Sequence, residues 1–152
     1  MKKQILSLAL GLAIFGLANA ASGNNNKAAA ANEKAHKNFE KQFKDVSNPT
    51  WYTLQDGFKA EFTKDGHQTN SVYGKRGNWV YTIEYFTADN LDKNLIDLVK
   101  TEYDRYYISG IEKVDCPASD AVYVVHLEDQ HSYKTVRISK TDMELVQEFK
   151  KG

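Results

Sequence analysis

Twice within eleven residues the chain places Asp-Gly between short runs of alternating polarity, at Asp56-Gly57 and again at Asp65-Gly66. Aspartate and glycine tolerate the backbone geometry of tight turns, and such a pair between alternating runs is the strongest local signal for a β-hairpin. Phe58, Ala60 and Phe62 point one way, Lys59 and Glu61 the other. That is a strand with one buried face and one wet face. Runs at 51–54, 58–63, 68–73 and 79–86 therefore read as four consecutive strands, the last two joined by Gly74-Lys75-Arg76-Gly77-Asn78. Any fold for this chain has to accommodate an antiparallel meander.

Upstream, Ala31, Ala35, Phe39 and Phe43 recur every fourth residue, with Glu33, Lys34, Lys37, Glu40 and Lys41 on other faces. This spacing predicts an amphipathic helix from about residue 28, stopped by Asn48-Pro49 because proline disfavours helical geometry in the residue before it. After the fourth strand, Asp89 offers an N-cap, with Asp92 favouring the positive end of a helix. Leu91, Leu95, Leu98, Val99 and Tyr103 form its apolar stripe, and strand patterns resume at 107–114, 121–128, 132–139 and 143–149. The order is helix then four strands, twice, at an offset of roughly 64 residues. That is longer than solenoid periods and points to a tandem duplication, with repeats at about 31–87 and 88–150. The expected fold class is α+β: helix-plus-four-strand units forming one antiparallel sheet, both helices packed on one face.

The 152 residues are 41% apolar and 26% charged with only two prolines, the composition of one folded domain. Met1-Lys2-Lys3-Gln4 opens on positive charge, residues 5–18 are apolar, and Ala18-Asn19-Ala20 is a small-x-small exit. These are the three parts of a secretory signal peptide, expected at 1–20. Gly11 and Gly16 interrupt the run, which falls short of the ~20 apolar residues of a membrane span. Residues 21–30 read as a flexible leader, and 31–152 as the domain. Without Lys2 and Lys3, eighteen basic side chains face twenty acidic ones, a net charge of −2. That argues against a strongly basic nucleic-acid binder. One cysteine, Cys116, excludes an internal disulfide and a cysteine-built zinc site; it reads as a half-buried strand-end residue.

An ordered series of aromatics and turns runs through the first half: Phe39-Glu40-Lys41-Gln42-Phe43, Asn48-Pro49-Thr50-Trp51, Gly57-Phe58-Lys59-Ala60-Glu61-Phe62-Thr63-Lys64-Asp65-Gly66 and Gly77-Asn78-Trp79. Glu102-Tyr103 and Ile111-Glu112-Lys113-Val114 continue it in the second half. The series resembles the PepSY-like domains of exported bacterial proteins, also described as beta-lactamase-inhibitor-protein-like. Two places depart from that pattern: Tyr103-Asp104-Arg105-Tyr106 replaces a Tyr-Pro-Gly-Tyr step, and Lys140-Thr141-Asp142 stands where an Asp-Gly turn is usual. The resemblance implies a periplasmic binding or inhibitory module, by analogy of fold.

Catalytic chemistry is hard to assemble from these residues. There is no Gly-x-Ser-x-Gly elbow, His-Glu-x-x-His helix or phosphate loop, and no cofactor is expected. His126 and His131 flank Glu128-Asp129-Gln130 and crudely mimic a metal site, but ligation needs three or four groups on one point, so solvated loop histidines are the simpler reading. The outstanding feature is aromatic surplus: beyond Phe15, nine Tyr, six Phe and two Trp remain. Helices can cover only one sheet face, so some strand rings should stand on the other. Tyrosine and tryptophan are enriched in binding hot spots. Trp51, Tyr73, Trp79, Tyr81, Tyr85, Tyr123 and Tyr133 are accordingly the candidate binding surface, although ring pairs also stiffen sheets. Over 79–86, odd positions hold Trp, Tyr, Ile and Tyr and even ones Val, Thr, Glu and Phe, leaving the inner face open. The function expected is a secreted or periplasmic, non-enzymatic protein-binding module, its partner an extracytoplasmic protein. The alternative is an envelope sensor holding a small ligand, peptide or metal between sheet and helices.

Overall fold

The computed structural model describes residues 31–140 and 142–152. The expected signal peptide and leader, 1–30, lie outside the described residues. Helix α1 (Glu33–Gln42) is followed by β1 (Thr50–Leu54), β2 (Gly57–Lys64), β3 (His67–Gly74) and β4 (Trp79–Phe86). A short 3-10 turn at Ala88–Asn90 leads to α2 (Lys93–Glu102) and then β5 (Tyr107–Asp115), β6 (Val122–Glu128), β7 (Ser132–Ser139) and β8 (Asp142–Lys150). The strands pair in chain order, every pair antiparallel, in one eight-stranded sheet. Among the described residues no helix is long and apolar enough to cross a membrane.

The hairpin signals did their work through backbone geometry. Asp65 and Gly66 both have positive φ, 50° and 82°, as a two-residue turn of this hand requires. At Gly57 the requirement is space: an added Cβ would lie 1.9 Å from the Tyr73 carbonyl oxygen on the neighbouring strand. Gly77, at φ 77°, leaves room for Asn32 of the helix cap, whose Oδ1 a Cβ there would meet at 2.5 Å. That closeness fixes α1. Asn32 accepts from Ala35 N–H and donates to the Lys75 carbonyl at 2.7 Å, while Asn38 donates to the Gly77 carbonyl at 2.7 Å.

Both helix boundaries differ from the sequence expectation. α1 ends at Gln42, with Phe43 as its C-cap at φ −126° and Val46 N–H bonding back to Phe43, so the chain leaves the helix before Pro49 takes effect. The N-cap of α2 is Asp92, whose carboxylate accepts from Asn94 N–H at 2.8 Å; Asp89 lies inside the 3-10 turn before it.

Both helices lie on one face of the sheet, over two separate cores. Ala35 and Phe39 of α1 bury against Trp51, Ala60, Phe62 and Tyr73. Phe39 has the Trp51 ring at 5.6 Å and the Phe62 ring edge-on at 5.0 Å, and Phe43 meets Phe62 at 4.7 Å. Val99 of α2 buries against Ile108, Ile111, Val125, Leu127, Val136 and Ile138, with Leu95, Ile96 and Leu98 packed around them. Between the cores the same face turns polar: Thr69, Ser71, Thr82 and Glu84 are all buried. Ser71 joins Thr82 at 2.9 Å and Tyr73 at 3.2 Å, Tyr73 donates to Gln42 Oε1 at 3.0 Å, and Trp79 Nε1 donates to Thr82 at 3.0 Å. Glu84 lies between Lys64 and Lys113, at 3.4 and 3.5 Å.

Phe39→Ala should destabilise the domain by about 3–5 kcal/mol in urea unfolding, the usual cost of deleting a buried ring. Lys37→Ala, at a well-exposed ion pair with Glu33, should change stability by no more than about 0.5 kcal/mol; equal effects would mean that α1 does not pack here. Burial pushes the Tyr73 phenol up to about 12, against a partly offsetting bond from Ser71. Unfolded, it titrates near its ordinary value of 10.0. The folded state therefore holds the proton longer, and the stabilisation is complete below pH 10 and lost as pH rises through about 12. The stability difference between wild type and Tyr73→Phe should shrink across that window; a flat difference would show that burial does not hold this phenol neutral.

Candidate functional site

The face away from the helices is built by alternation. With Ala60 and Phe62 turned to α1, Lys59 and Glu61 must turn outward, and cross-strand pairing lines up their neighbours. Tyr52, Lys59, Val72 and Tyr81 form one row; Glu61, Asn70, Ile83 and Val114 form the next. Tyr85 stands opposite Glu112. These rows enclose a concavity of about 460 Å³ lined by Leu54, Val72 and Ile83, by Tyr81 and Tyr85, and by Lys59, Glu61, Gln68, Asn70 and Glu112. Of its apolar lining, Ile83 is the recessed member, only 4% exposed, while Leu54 stands at 38%.

The polar groups of this concavity are unevenly satisfied. Lys59 Nζ sits 2.6 Å from Glu61 Oε1 and 4.7 Å from the centre of the Tyr52 ring, so that ammonium is held. Asn70 Nδ2 donates to the Tyr85 hydroxyl at 3.3 Å. Glu112 Oε1 lies 3.5 Å from His126 Nε2, and His126 Nδ1 lies 3.4 Å from Thr135 Oγ1. Asn70 Oδ1 and Glu112 Oε2 are buried with no hydrogen-bond partner. Burial raises the Tyr85 phenol above its ordinary value, reinforced by the negative charge of Glu112 and more weakly of Glu61, and opposed by the Asn70 bond. Burial also raises Tyr81. Both phenols are therefore neutral hydroxyls at physiological pH, able to donate.

The seven rings proposed from sequence are divided between the two faces. Tyr81 and Tyr85 line the concavity. Tyr133 is 47% exposed near the far edge of the sheet, with Lys151 Nζ 4.4 Å from its ring centre. The other four correct the expectation of an open-face position. Trp51 and Tyr73 are buried under α1 because they share the Ala60 side of the sheet, and Tyr123 packs into the α2 core. Trp79 belongs to the same strand as Tyr81 and Tyr85, yet packs toward α1. The register shifts between Val72 and Tyr73, where Tyr73 pairs with Trp79, and this irregularity turns the strand end to the helix side. Alternation thus holds from residue 81 to 86: Tyr81, Ile83 and Tyr85 face out, Thr82, Glu84 and Phe86 in.

Sequence reasoning passed over Asn70 and Glu112. The signal for them was parity alone: Asn70 is opposite Glu61 and Glu112 opposite Tyr85. The histidines do not form a metal centre in the arrangement seen. Among the described residues no three His, Cys, Asp or Glu side chains come together to hold an ion. His131 belongs to a turn in which Asp129 accepts from the His131 and Ser132 N–H groups at 2.8 and 2.6 Å. Those bonds, the His131 one foremost, hold the Asp129 carboxyl below its usual range. Cys116 is part-buried just past β5; burial pushes its thiol up, with a Ser119 hydrogen bond opposing.

No family model matches the chain, and no curated protein matches it. Solved structures do. A DUF2874 family protein from Bacteroides ovatus shares 16% identity, with 81% of this chain and 89% of that one covered and a TM-score of 0.68. A protein from Bacteroides eggerthii, provisionally described as periplasmic, shares 12% identity over 80% of this chain and 89% of its own, with a TM-score of 0.65. A BLIP-like protein from Bacteroides fragilis shares 14% identity over 81% of this chain and 88% of its own, with a TM-score of 0.69. At these identities the likeness is one of architecture: this chain has the BLIP-like fold.

Proposed function

We propose that the chain is a periplasmic, non-enzymatic protein-binding module that docks its partner on the open face of the sheet. One observation carries this reading: the uncovered face is concave over β1 to β5, with Tyr81 and Tyr85 set around the floor of Leu54, Val72 and Ile83. A helix-on-sheet domain needs only one face for its core, and here the helices take the other. The open face is left with ring surface, a recessed floor and charged margins, the composition of a hot-spot region. Its position away from the helices favours a docking surface over a ligand chamber between sheet and helices. The sequence of residues 1–20, and the provisional periplasmic description of the similar B. eggerthii protein, support export. The BLIP-like description of the B. fragilis protein makes inhibition the finer version of the same reading.

The test is affinity capture from envelope extract on immobilised domain, comparing wild type with a Tyr81→Ala, Tyr85→Ala double variant. The variant should keep a cooperative melt and retain at least tenfold less of whatever wild type binds specifically. Lys93→Ala, at a well-exposed position on α2 on the opposite side of the sheet, should retain the same amount as wild type. Equal retention by the double variant would remove the open face from the reading.

A further inference from the structure

We infer that the concavity on the open face receives a cationic side chain, an arginine guanidinium or lysine ammonium, projecting from the docked partner. The inference rests on the docking reading and adds the chemistry of what is recognised. Three independent observations converge on it.

The first is the pair of orphaned acceptors. A buried carboxylate oxygen or amide oxygen left without a donor costs roughly 1–3 kcal/mol, more when charged, and native structures keep few of them. Here two occur in the lining of one concavity, Asn70 Oδ1 and Glu112 Oε2. Both are acceptors, so the missing partner is a donor. Both are shielded from water-sized contact in their present rotamers, so solvent on the floor does not satisfy them. Each sits beyond a terminal sp³–sp² torsion, the softest in a side chain, which can turn the atom toward a guest.

The second is charge. Glu61 and Glu112 bring two carboxylates to the lining against the one ammonium of Lys59. Lys59 is already engaged by Glu61 at 2.6 Å. Glu112 has His126 Nε2 at 3.5 Å from one oxygen and no hydrogen-bond partner on the other. An anion guest would meet the surplus carboxylate, and a neutral guest would leave it uncompensated. A cation offers both charge and several N–H donors.

The third is the apolar and aromatic lining. Leu54, Val72 and Ile83 provide apolar surface for the methylene stem of a long basic side chain. Tyr81 and Tyr85 add aromatic surface beside the site where the head group would rest, the setting in which cations gain from ring quadrupoles. Arginine matches this combination best, because its planar fork presents five donors to a divided set of acceptors.

The experiment uses the exported protein, labelled with nitrogen-15, and N-acetyl-arginine amide and N-acetyl-lysine amide as probes, with N-acetyl-citrulline amide as the neutral isostere of arginine. Amide shifts should move around residues 59–61, 70, 81–85 and 112. The citrulline probe should bind at least tenfold more weakly than arginine, and Glu112→Gln should weaken arginine at least tenfold. Citrulline binding as well as arginine, or no saturable shift at these positions up to solubility, would overturn the inference without need of any variant. The docking reading fails separately. If Glu112→Gln leaves partner capture unchanged while Tyr81→Ala, Tyr85→Ala abolishes it, the docking face stands and the cation pocket falls. If arginine amide binds as expected and capture ignores the face, the pocket stands and the docking reading falls.

Discussion

Five residue pairs between β4 and β5, from Thr82 opposite Asp115 to Phe86 opposite Ile111, make one sheet out of two units. The apolar cores stay largely on their own sides, although Phe86 of β4 packs on the second. One gathers on α1 and β1 to β4, the other chiefly on α2 and β5 to β8, and the helix-side strip between them is Thr69, Ser71, Thr82 and Glu84. Joining the units therefore falls to backbone hydrogen bonds, to the buried cross-strand pair Ile83 and Val114 on the open face, and to Glu84, placed between Lys64 on β2 and Lys113 on β5. A buried carboxylate is costly unless paired, and here two ammonium groups flank it. The open face depends on the same join. Tyr85 and Glu112 share a site only because β4 and β5 are neighbours.

The fold was legible because its instructions are local. Every strand lies within about a residue of its expected range, since alternation and turn residues are short-range signals. Helix ends were less so. Proline at position 49 is a sound stop signal, but Phe43 had already left the helix to pack on Phe62, a contact with a residue nineteen positions away. Asp89 and Asp92 are equally good caps in isolation. Asp92 prevails because the 3-10 turn at Ala88–Asn90 comes first and places Ala88 and Leu91 against the second core.

The site was half legible, for a reason particular to β structure. A two-residue period says which side chains share a face and not which face is covered, so β4 could be read either way. What decides it is register with β2 and β3: Thr82 falls beside Ser71, on the Phe62 side, and Tyr81 and Tyr85 are turned outward. No rule applied to β4 alone finds the bulge that returns Trp79 to the helices. Counting rings as surface was the weaker inference. Of the seven, Trp51 and Tyr73 are buried members of the first core, where a small domain needs large apolar area. Asn70 and Glu112, neither aromatic, emerge only from the pairing.

The two faces therefore divide the labour of the aromatic side chains. Among the described residues, buried side-chain polar atoms on the helix side have partners: the Tyr73 hydroxyl has Ser71 and Gln42, and the Trp79 indole has Thr82. On the open side, where no helix dictates the packing, Asn70 Oδ1 and Glu112 Oε2 have none. If both faces served stability alone, selection for stability would be expected to satisfy or replace these atoms, because a hydrophobic residue at either position would remove the cost. Concentrating the unsatisfied groups beside Tyr81 and Tyr85, in a recess of the uncovered face, is the arrangement in which a small loss of stability leaves interaction free energy for a guest to recover.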